Sequence, residues 1–397
     1  MNTGEILELD IHDVAARGGV GRYEGEVVFV PYTIAGECVR VKVTSHRKNF
    51  IEAELAEVIT PSPHRVAPRC PYFGPRPSAA NTPTPCGGCQ YQHIAYAEQL
   101  AIKKRQIIAA LQRIGGIAEP PVADPIASPE PFGYRNKITM QVDPRRKFIG
   151  FHGMDHCTPL DIARCDIAAE PLNQALATYR AAPPPAERPY TLLLRLDSRG
   201  MVAGGQQMLE ETIGDMTLEV PANAFFQVNR GLIGELVSQV GQRITRVGHR
   251  HLLDAYCGVG LFTIALATQL DSGIGIEFDK HATIWARKNA RRLGHRHLRF
   301  FEGHVESRMR GALELLPREK TTLLVDPPRA GLSDNVMASV TSAALPQVIY
   351  VSCDFGTFAR DAKLLLAAGY NLVGVQPVDM FPQTAHCEVV GEFQWQG

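Results

Sequence analysis

Polar and apolar residues alternate along Glu5-Ile6-Leu7-Glu8-Leu9-Asp10-Ile11, and short β-rich runs follow at Glu26-Val27-Val28-Phe29-Val30 and Cys38-Val39-Arg40-Val41-Lys42-Val43. Gly18-Gly19-Val20-Gly21 and Pro31 punctuate these runs. Short strands at this spacing predict a small OB-like β-barrel over residues 1–62. From about residue 220 the pattern changes. Leu252-Leu253-Asp254-Ala255, Gly273-Ile274-Gly275-Ile276-Glu277, Thr322-Leu323-Leu324-Val325-Asp326 and Val348-Ile349-Tyr350-Val351-Ser352 are short buried runs, each followed by a helical stretch. That alternation predicts a doubly wound parallel sheet, an α/β Rossmann-like domain over 216–397. The stretch between, 63–215, opens with a Pro-, Gly- and Ser-rich segment carrying three cysteines. It continues into a helix near 96–114 with Lys103, Lys104, Arg105 and Arg113 on its polar side, placed to pack on the C-terminal domain. A mixed strand region follows over 130–215, with turns at Asp143-Pro144 and Ala182-Pro183-Pro184-Pro185. This middle part is expected to be an α+β domain.

A chain of 397 residues suits two or three domains. Lys+Arg and Asp+Glu both number 41, which excludes a uniformly basic, purely electrostatic nucleic-acid binder and leaves a local basic face open. The predicted barrel has six Lys and Arg against ten Asp and Glu, so its charge does not advertise such a face. No run of about 18 apolar residues appears, so no membrane span is expected. Met1 to Asp13 is acidic and lacks the apolar stretch of a signal peptide, which makes the cytoplasm the expected location. Nine cysteines there are reduced thiols rather than disulfides.

Asp254-Ala255-Tyr256-Cys257-Gly258-Val259-Gly260 ends a predicted strand and opens a helix, and Glu277 ends the next strand 23 residues after Asp254. Glycines at such a turn let backbone approach a ligand, and an acidic strand end accepts hydrogen bonds from ribose hydroxyls. The pattern describes an adenosine site. A dinucleotide fingerprint wants a third glycine where Thr263 stands, so S-adenosylmethionine fits better than NAD. Asp326-Pro327-Pro328-Arg329 ends a further strand as a rigid tip, with Arg329 where amino-methylating enzymes place an aromatic residue. Val351-Ser352-Cys353-Asp354 puts a cysteine at the same sheet edge, where open α/β sheets bind ligands. Glu388 opens an apolar run, and a thiol with a nearby carboxylate base suits a carbon that must first be activated. His386 is a weaker base candidate.

Cys86-Gly87-Gly88-Cys89, with Cys70 before it and Cys165 well after, forms a second constellation. Glycine N–H groups beside thiolates suit an iron–sulfur cluster held by four cysteines, with four-cysteine zinc as the alternative. Cys38, Cys157 and Cys387 are left unassigned.

Taken with Tyr134-Arg135-Asn136-Lys137, Phe226-Gln227-Val228-Asn229, Asp326-Pro327-Pro328-Arg329-Ala330-Gly331, Tyr350-Val351-Ser352-Cys353 and Asp379-Met380-Phe381-Pro382, the chain resembles the RNA uracil-5 methyltransferase family over its whole length. The N-terminal barrel resembles the TRAM module that many members carry. The resemblance implies Cys353 as nucleophile and Glu388 as base. It implies Gln227, Tyr256, Glu277 and Asp326 as S-adenosylmethionine contacts, and Cys70, Cys86, Cys89 and Cys165 as ligands of a [4Fe–4S] cluster in the middle domain. Phe225 and Arg135 are implied on the RNA side. The substrate it implies is RNA, 23S rRNA first and tRNA second, with no obligate protein partner. The sequence departs from the family's pattern at the long Cys70–Cys86 spacing, where Gly74 to Pro85 is expected to loop out. It departs again at Asp354-Phe355 after the nucleophile, where the added carboxylate calls for a compensating cation, and at Leu261, where a polar cofactor contact is lost.

Two other readings remain at this stage. An RNA cytosine-5 methyltransferase uses a similar thiolate but commonly carries a proline–cysteine pair where this chain has Asp326-Pro327-Pro328. A non-catalytic RNA-binding or assembly factor has no need of Cys353 and Glu388. Arg287, Lys288, Arg291, Arg292, Arg296 and Arg299, after Glu277, are cationic candidates for the RNA backbone, or simply a solvated helix face.

Overall fold

A computed structural model of the chain describes residues 2–75, 84–146, 148–155, 157–183 and 186–397. Most of the Gly74–Pro85 insertion, and Pro184 and Pro185 of the expected turn, lie outside these residues.

Five strands, β1 (Ile6–Ala15), β2 (Gly18–Tyr23), β3 (Glu26–Val30), β4 (Glu37–Arg47) and β5 (Phe50–Thr60), close into a barrel in the order β1-β2-β3-β5-β4. Alternation drives it: Leu7, Leu9 and Ile11 point inward beside Val39, Val41 and Val43. The glycine run taken as punctuation is strand β2. A Cβ on Gly19 would stand 2.0 Å from Thr33 Oγ1, so glycine here serves close backbone approach within the barrel rather than a turn.

Helix α1 (Tyr96–Arg113) follows the cysteine-bearing segment. Next comes a sheet of β6 (Lys137–Asp143), β7 (Phe148–His152), β8 (Pro159–Asp161), β9 (Tyr190–Leu196) and β10 (Val202–Ala203), in the order β10-β9-β6-β7-β8. Helix α2 (Glu170–Ala181) packs on it through Leu172 and Leu176 and lies inside the stretch expected to be mainly strand. A hairpin of β11 (Met208–Ile213) and β12 (Met216–Pro221) leads to the C-terminal domain.

That domain is a seven-stranded sheet. Its strands are β13 (His251–Ala255), β14 (Ser272–Glu277), β15 (Leu298–Glu302), β16 (Thr321–Val325), β17 (Gln347–Ser352), β18 (Tyr370–Val378) and β19 (Glu388–Trp395), in the order β15-β14-β13-β16-β17-β19-β18. The first five are parallel, and β19 runs antiparallel between β17 and β18. Helices α3 (Arg230–Arg246), α4 (Leu261–Ala265) and α5 (Lys280–Arg292) cover one face. Helices α6 (Val305–Leu313), α7 (Asp334–Ala343) and α8 (Phe355–Ala367) cover the other. Leu253, Leu323 and Val348 face one layer while Leu252, Leu324 and Ile349 face the other, which is why the parallel strands read as continuous apolar runs. The anticipated doubly wound sheet and N-terminal barrel are both present.

Helix α1 docks on this sheet, with Ile107 and Leu111 in the same core as Leu253 and Leu323. Lys103 is therefore not on a solvent face as its charge suggested. It is fully buried, and its Nζ stands 2.6 Å from Asp379 Oδ1. Among the described residues no helix is long and apolar enough to cross a membrane.

Candidate functional site

The order of the sheet reverses between β13 and β16, and the crevice beyond the strand ends at such a point is where open α/β sheets bind ligands. Cys257, Gly258, Val259 and Gly260 make the turn after β13. Gly260 has φ +88°, and a Cβ there would meet Ile264 Cδ1 at 2.8 Å, so only glycine starts α4 this way. Tyr256 also holds a left-handed φ of +72°, a strained conformation for a bulky residue that a tightly built site maintains. Glu277 is pinned at the end of β14, with Oε2 accepting from Gly258 N at 2.9 Å and Oε1 from Asp279 N at 2.7 Å.

Strand register brings the reacting groups together. β17 pairs antiparallel with β19 through Ser352↔Val389, so Cys353, just past β17, falls opposite Glu388, which opens β19. β16 pairs with β17 through Val325↔Tyr350, which sets Asp326 one step along the same edge. A cavity of about 510 Å³ results, and Gln227, Tyr256, Glu277, Asp326, Cys353 and Glu388 all line it. Leu261 lines it too, as an apolar wall. Among the lining residues, Phe226 and Phe381 had been given no site role by the sequence, and Arg329 none in the chemistry.

The electrostatics are those of a closely shared acidic site. Burial pushes the Cys353 thiol up to about 11; Glu388 and Asp326 push the same way, and Arg329 opposes them. Burial raises Glu388 well above the usual carboxylate range, Asp326 adds to this, and Arg329 again opposes. Asp326 rises to about 7 through burial and the charge of Asp254. The compensating cation expected for Cys353 is thus Arg329. It answers Glu388 and Asp326 rather than Asp354, whose side chain caps α8 by accepting from Thr357 N at 2.9 Å. Thr357 Oγ1 in turn donates to Arg329 O, fastening the Pro327-Pro328-Arg329 tip to that helix. Burial first, then Arg329 and Lys103, bring His386 down to about 4, which leaves it neutral.

The loop Ala222–Asn229 carries Gln227. Asn136 supports it with two donated bonds, from Nδ2 to Gln227 O at 3.1 Å and from its backbone N to Val228 O at 2.9 Å. On the far side of this loop lies another cavity, of about 390 Å³, lined by Cys70, Cys86, Cys89 and Cys165 together with Arg135 and Lys137. Phe225, Phe226 and Val228 line both cavities, so one loop partitions them. Phe225 is 70% exposed.

Local structure explains how distant cysteines reach one cavity. Cys86 bridges to Gly153 beside β7, Cys70 N donates to Gln92 Oε1, and Cys165 N donates to Asn173 Oδ1 of α2. Burial raises all four thiols, Cys70 to about 12. N–H donors nevertheless face the sulfurs: Gly88 for Cys86 at 3.4 Å, Tyr72 for Cys70, Gln92 for Cys89, and Ile167 and Ala168 for Cys165. Thiols so buried stay protonated until a positive centre is supplied, whereas N–H groups aimed at sulfur favour thiolates. By chemistry alone these donors are of the type that binds a metal group as thiolates. The four surround the cavity without closing on one point, since among the described residues no group of three or more His, Cys, Asp or Glu stands close enough to hold a metal ion.

Two cations of the proposed RNA-facing set are engaged within the protein. Arg287 donates to Phe300 O and Arg292 to Thr217 O, which favours the plain helix-face reading for them.

Comparison with known proteins bears on the family and the fold. Residues 206–393 match the family described as tRNA (Uracil-5-)-methyltransferase, and residues 2–56 match the TRAM domain. An uncharacterized RNA methyltransferase of Nostoc sp. is 30% identical, with 97% of this chain and 95% of the relative covered. A tRNA (uracil(54)-C(5))-methyltransferase of Schizosaccharomyces pombe is also 30% identical, over 97% of this chain and 77% of the relative. The fold matches that of the Pyrococcus abyssi tRNA (uracil-54, C5)-methyltransferase in complex with S-adenosyl-L-homocysteine. The TM-score is 0.71 at 23% identity, covering 98% of this chain and 100% of that one.

Proposed function

The chain belongs to the tRNA (uracil-5-)-methyltransferase family of RNA methyltransferases, and from that premise we propose that it methylates C5 of one uridine in RNA through a covalent bond between Cys353 and C6. The observation that carries this reading is the single cavity in which Cys353, Glu388 and Asp326 meet the glycine turn and Glu277.

C5 of uracil is a weak nucleophile. Addition of the Cys353 thiolate to C6 gives an enolate whose charge reaches C5. S-adenosylmethionine supplies the methyl group from its sulfonium centre. Glu388 then takes the C5 proton, and elimination frees Cys353. A buried carboxylate with a raised pKa is the stronger base once ionised, and Arg329 steadies both the thiolate and that carboxylate. Gln227, Tyr256, Glu277 and Asp326 hold the cofactor. The uridine leaves its stack to enter, at a cost of a few kcal/mol, and the exposed Phe225 beside Arg135 is the side-chain pair we assign to receive the RNA.

Cys70, Cys86, Cys89 and Cys165 are the residues that would hold a [4Fe–4S] cluster, whose iron would stabilise these otherwise protonated cysteines as thiolates. No redox step is required of it. Large-subunit 23S rRNA is the substrate of first choice. The tRNA uridine at position 54 is the second reading, favoured by the activity for which the S. pombe relative is named.

The test uses RNA carrying 5-fluorouridine, which lacks the proton Glu388 would remove. The wild-type protein should trap it covalently and Cys353→Ala should not. Methyl transfer by Cys353→Ala at the wild-type rate would sink the mechanism. Mapping 5-methyluridine in rRNA and tRNA from cells lacking the protein assigns the substrate.

A further inference from the structure

The partition loop Ala222–Asn229 has an unusual support. Arg195, on β9, is 1% exposed, and its partner Glu211, on β11, is 1% exposed. The Arg195 Nη2 donates to Glu211 Oε1 at 2.9 Å, and Nη1 donates to Ala224 O at 3.2 Å. The same guanidinium lies over the Phe226 ring, 5.1 Å from its centroid. Arg230, the first residue of α3, approaches Glu211 Oε2 at 3.8 Å and donates to Asp197 O at 2.8 Å. A buried ion pair is a poor device for stability, because desolvation offsets most of the attraction. What this one does is geometric. One planar group ties the middle sheet, the β11–β12 hairpin and the loop that walls both cavities.

We propose that Arg195 is a positioning residue for methyl transfer, fixing the Ala224–Gln227 segment so that Gln227 faces the cofactor and Phe225 faces the RNA. Asn136 holds the opposite end of that segment through Gln227 O and Val228 O. Arg195 therefore sets the remaining freedom, the tilt of Ala224-Phe225-Phe226. Lysine cannot replace it, since a single ammonium cannot reach Glu211 and Ala224 O while stacking on Phe226. The assignment rests on the reading of Gln227 as a cofactor contact and Phe225 as an RNA contact.

The experiment compares wild type, Arg195→Lys, Phe225→Ala and the double variant, each checked for an unchanged melting temperature. The affinity for S-adenosylhomocysteine and the KM for RNA are then measured. Arg195→Lys should weaken S-adenosylhomocysteine about fivefold to tenfold, and its effect on RNA KM should be lost when Phe225 is already alanine. Additive effects on KM where Phe225→Ala itself raises KM, or S-adenosylhomocysteine affinity within twofold of wild type, overturn the proposal. If Arg195→Lys melts early, Arg195→Met with Glu211→Gln removes both charges, and the same affinity criterion applies to it. A Phe225→Ala variant with unaltered KM would instead remove Phe225 as an RNA contact, and S-adenosylhomocysteine affinity still decides the role of Arg195.

Discussion

Cys353 is not an activated thiol in the free protein: burial, Glu388 and Asp326 hold it near 11, against the single opposing charge of Arg329. Glu388 is raised too, so both reacting groups must lose a proton before the chemistry proceeds. The sign follows directly. Thiolate and carboxylate both grow as pH rises, so kcat/KM should climb from pH 6 to pH 9 with no fall on the alkaline side. Arg329→Met removes the cation, moves that climb to higher pH and lowers the rate at pH 7.5 by about tenfold to a hundredfold, with Arg329→Lys in between. A pH–rate profile of Arg329→Met that overlays the wild type would show that the arginine does not act on these groups. Cys353 and Glu388 were legible as residue types at predicted strand ends. The partner of Cys353 was not. Asp354 adjoins it in sequence yet spends its carboxylate capping α8, while Arg329 arrives from another strand through a register that no local pattern reveals.

Element packing corrects the sequence reading in the same way at α1. Periodicity identified the helix, but charge alone placed Lys103 outside. Its Nζ instead bridges Asp379 Oδ1 and Phe381 O, and Tyr96 Oη donates to Asp379 Oδ2 at 3.0 Å. The helix thereby holds the Asp379-Met380-Phe381-Pro382 segment that leads to Glu388. Removing one partner of a fully buried pair costs far more than the pair contributes, because the other charge is stranded. Lys103→Met should lower unfolding free energy by about 3–5 kcal/mol in urea titrations, and Lys103→Met with Asp379→Asn should recover part of it. Equal stability of the single and double variants would mean that Asp379 is satisfied by Tyr96 alone. The barrel shows the same limit: alternation revealed β1, β3 and β4, but β2 carries glycines whose reason is a neighbour 2.0 Å away, which pattern cannot express.

At the scale of the whole molecule, the barrel and the cysteine cavity share one core. Leu7, Val30, Val41 and Tyr32 of the barrel segment pack in the same apolar cluster as Phe73, Cys89, Tyr134 and Ile167, with Cys70 and Cys165 against it. Phe73 sits edge-on to Tyr32 at 5.1 Å and stacked with His93 at 5.6 Å. Sequence spacing identified four thiols but not this continuity, because Cys86 meets Gly153 beside β7, Cys165 meets Asn173 of α2 and Cys70 meets Gln92 only in the folded chain. If a cluster fills the cavity, its binding energy is folding energy for both parts at once. Anaerobically purified protein should then carry about four irons per chain with visible absorbance. Cys89→Ser should lose both, and amide exchange in β1–β5 should quicken with it, although no mutated residue lies in the barrel. Iron loss with unchanged exchange in those strands would separate the barrel from the cluster. Zinc in place of iron would keep the mechanical coupling and replace the metal chemistry.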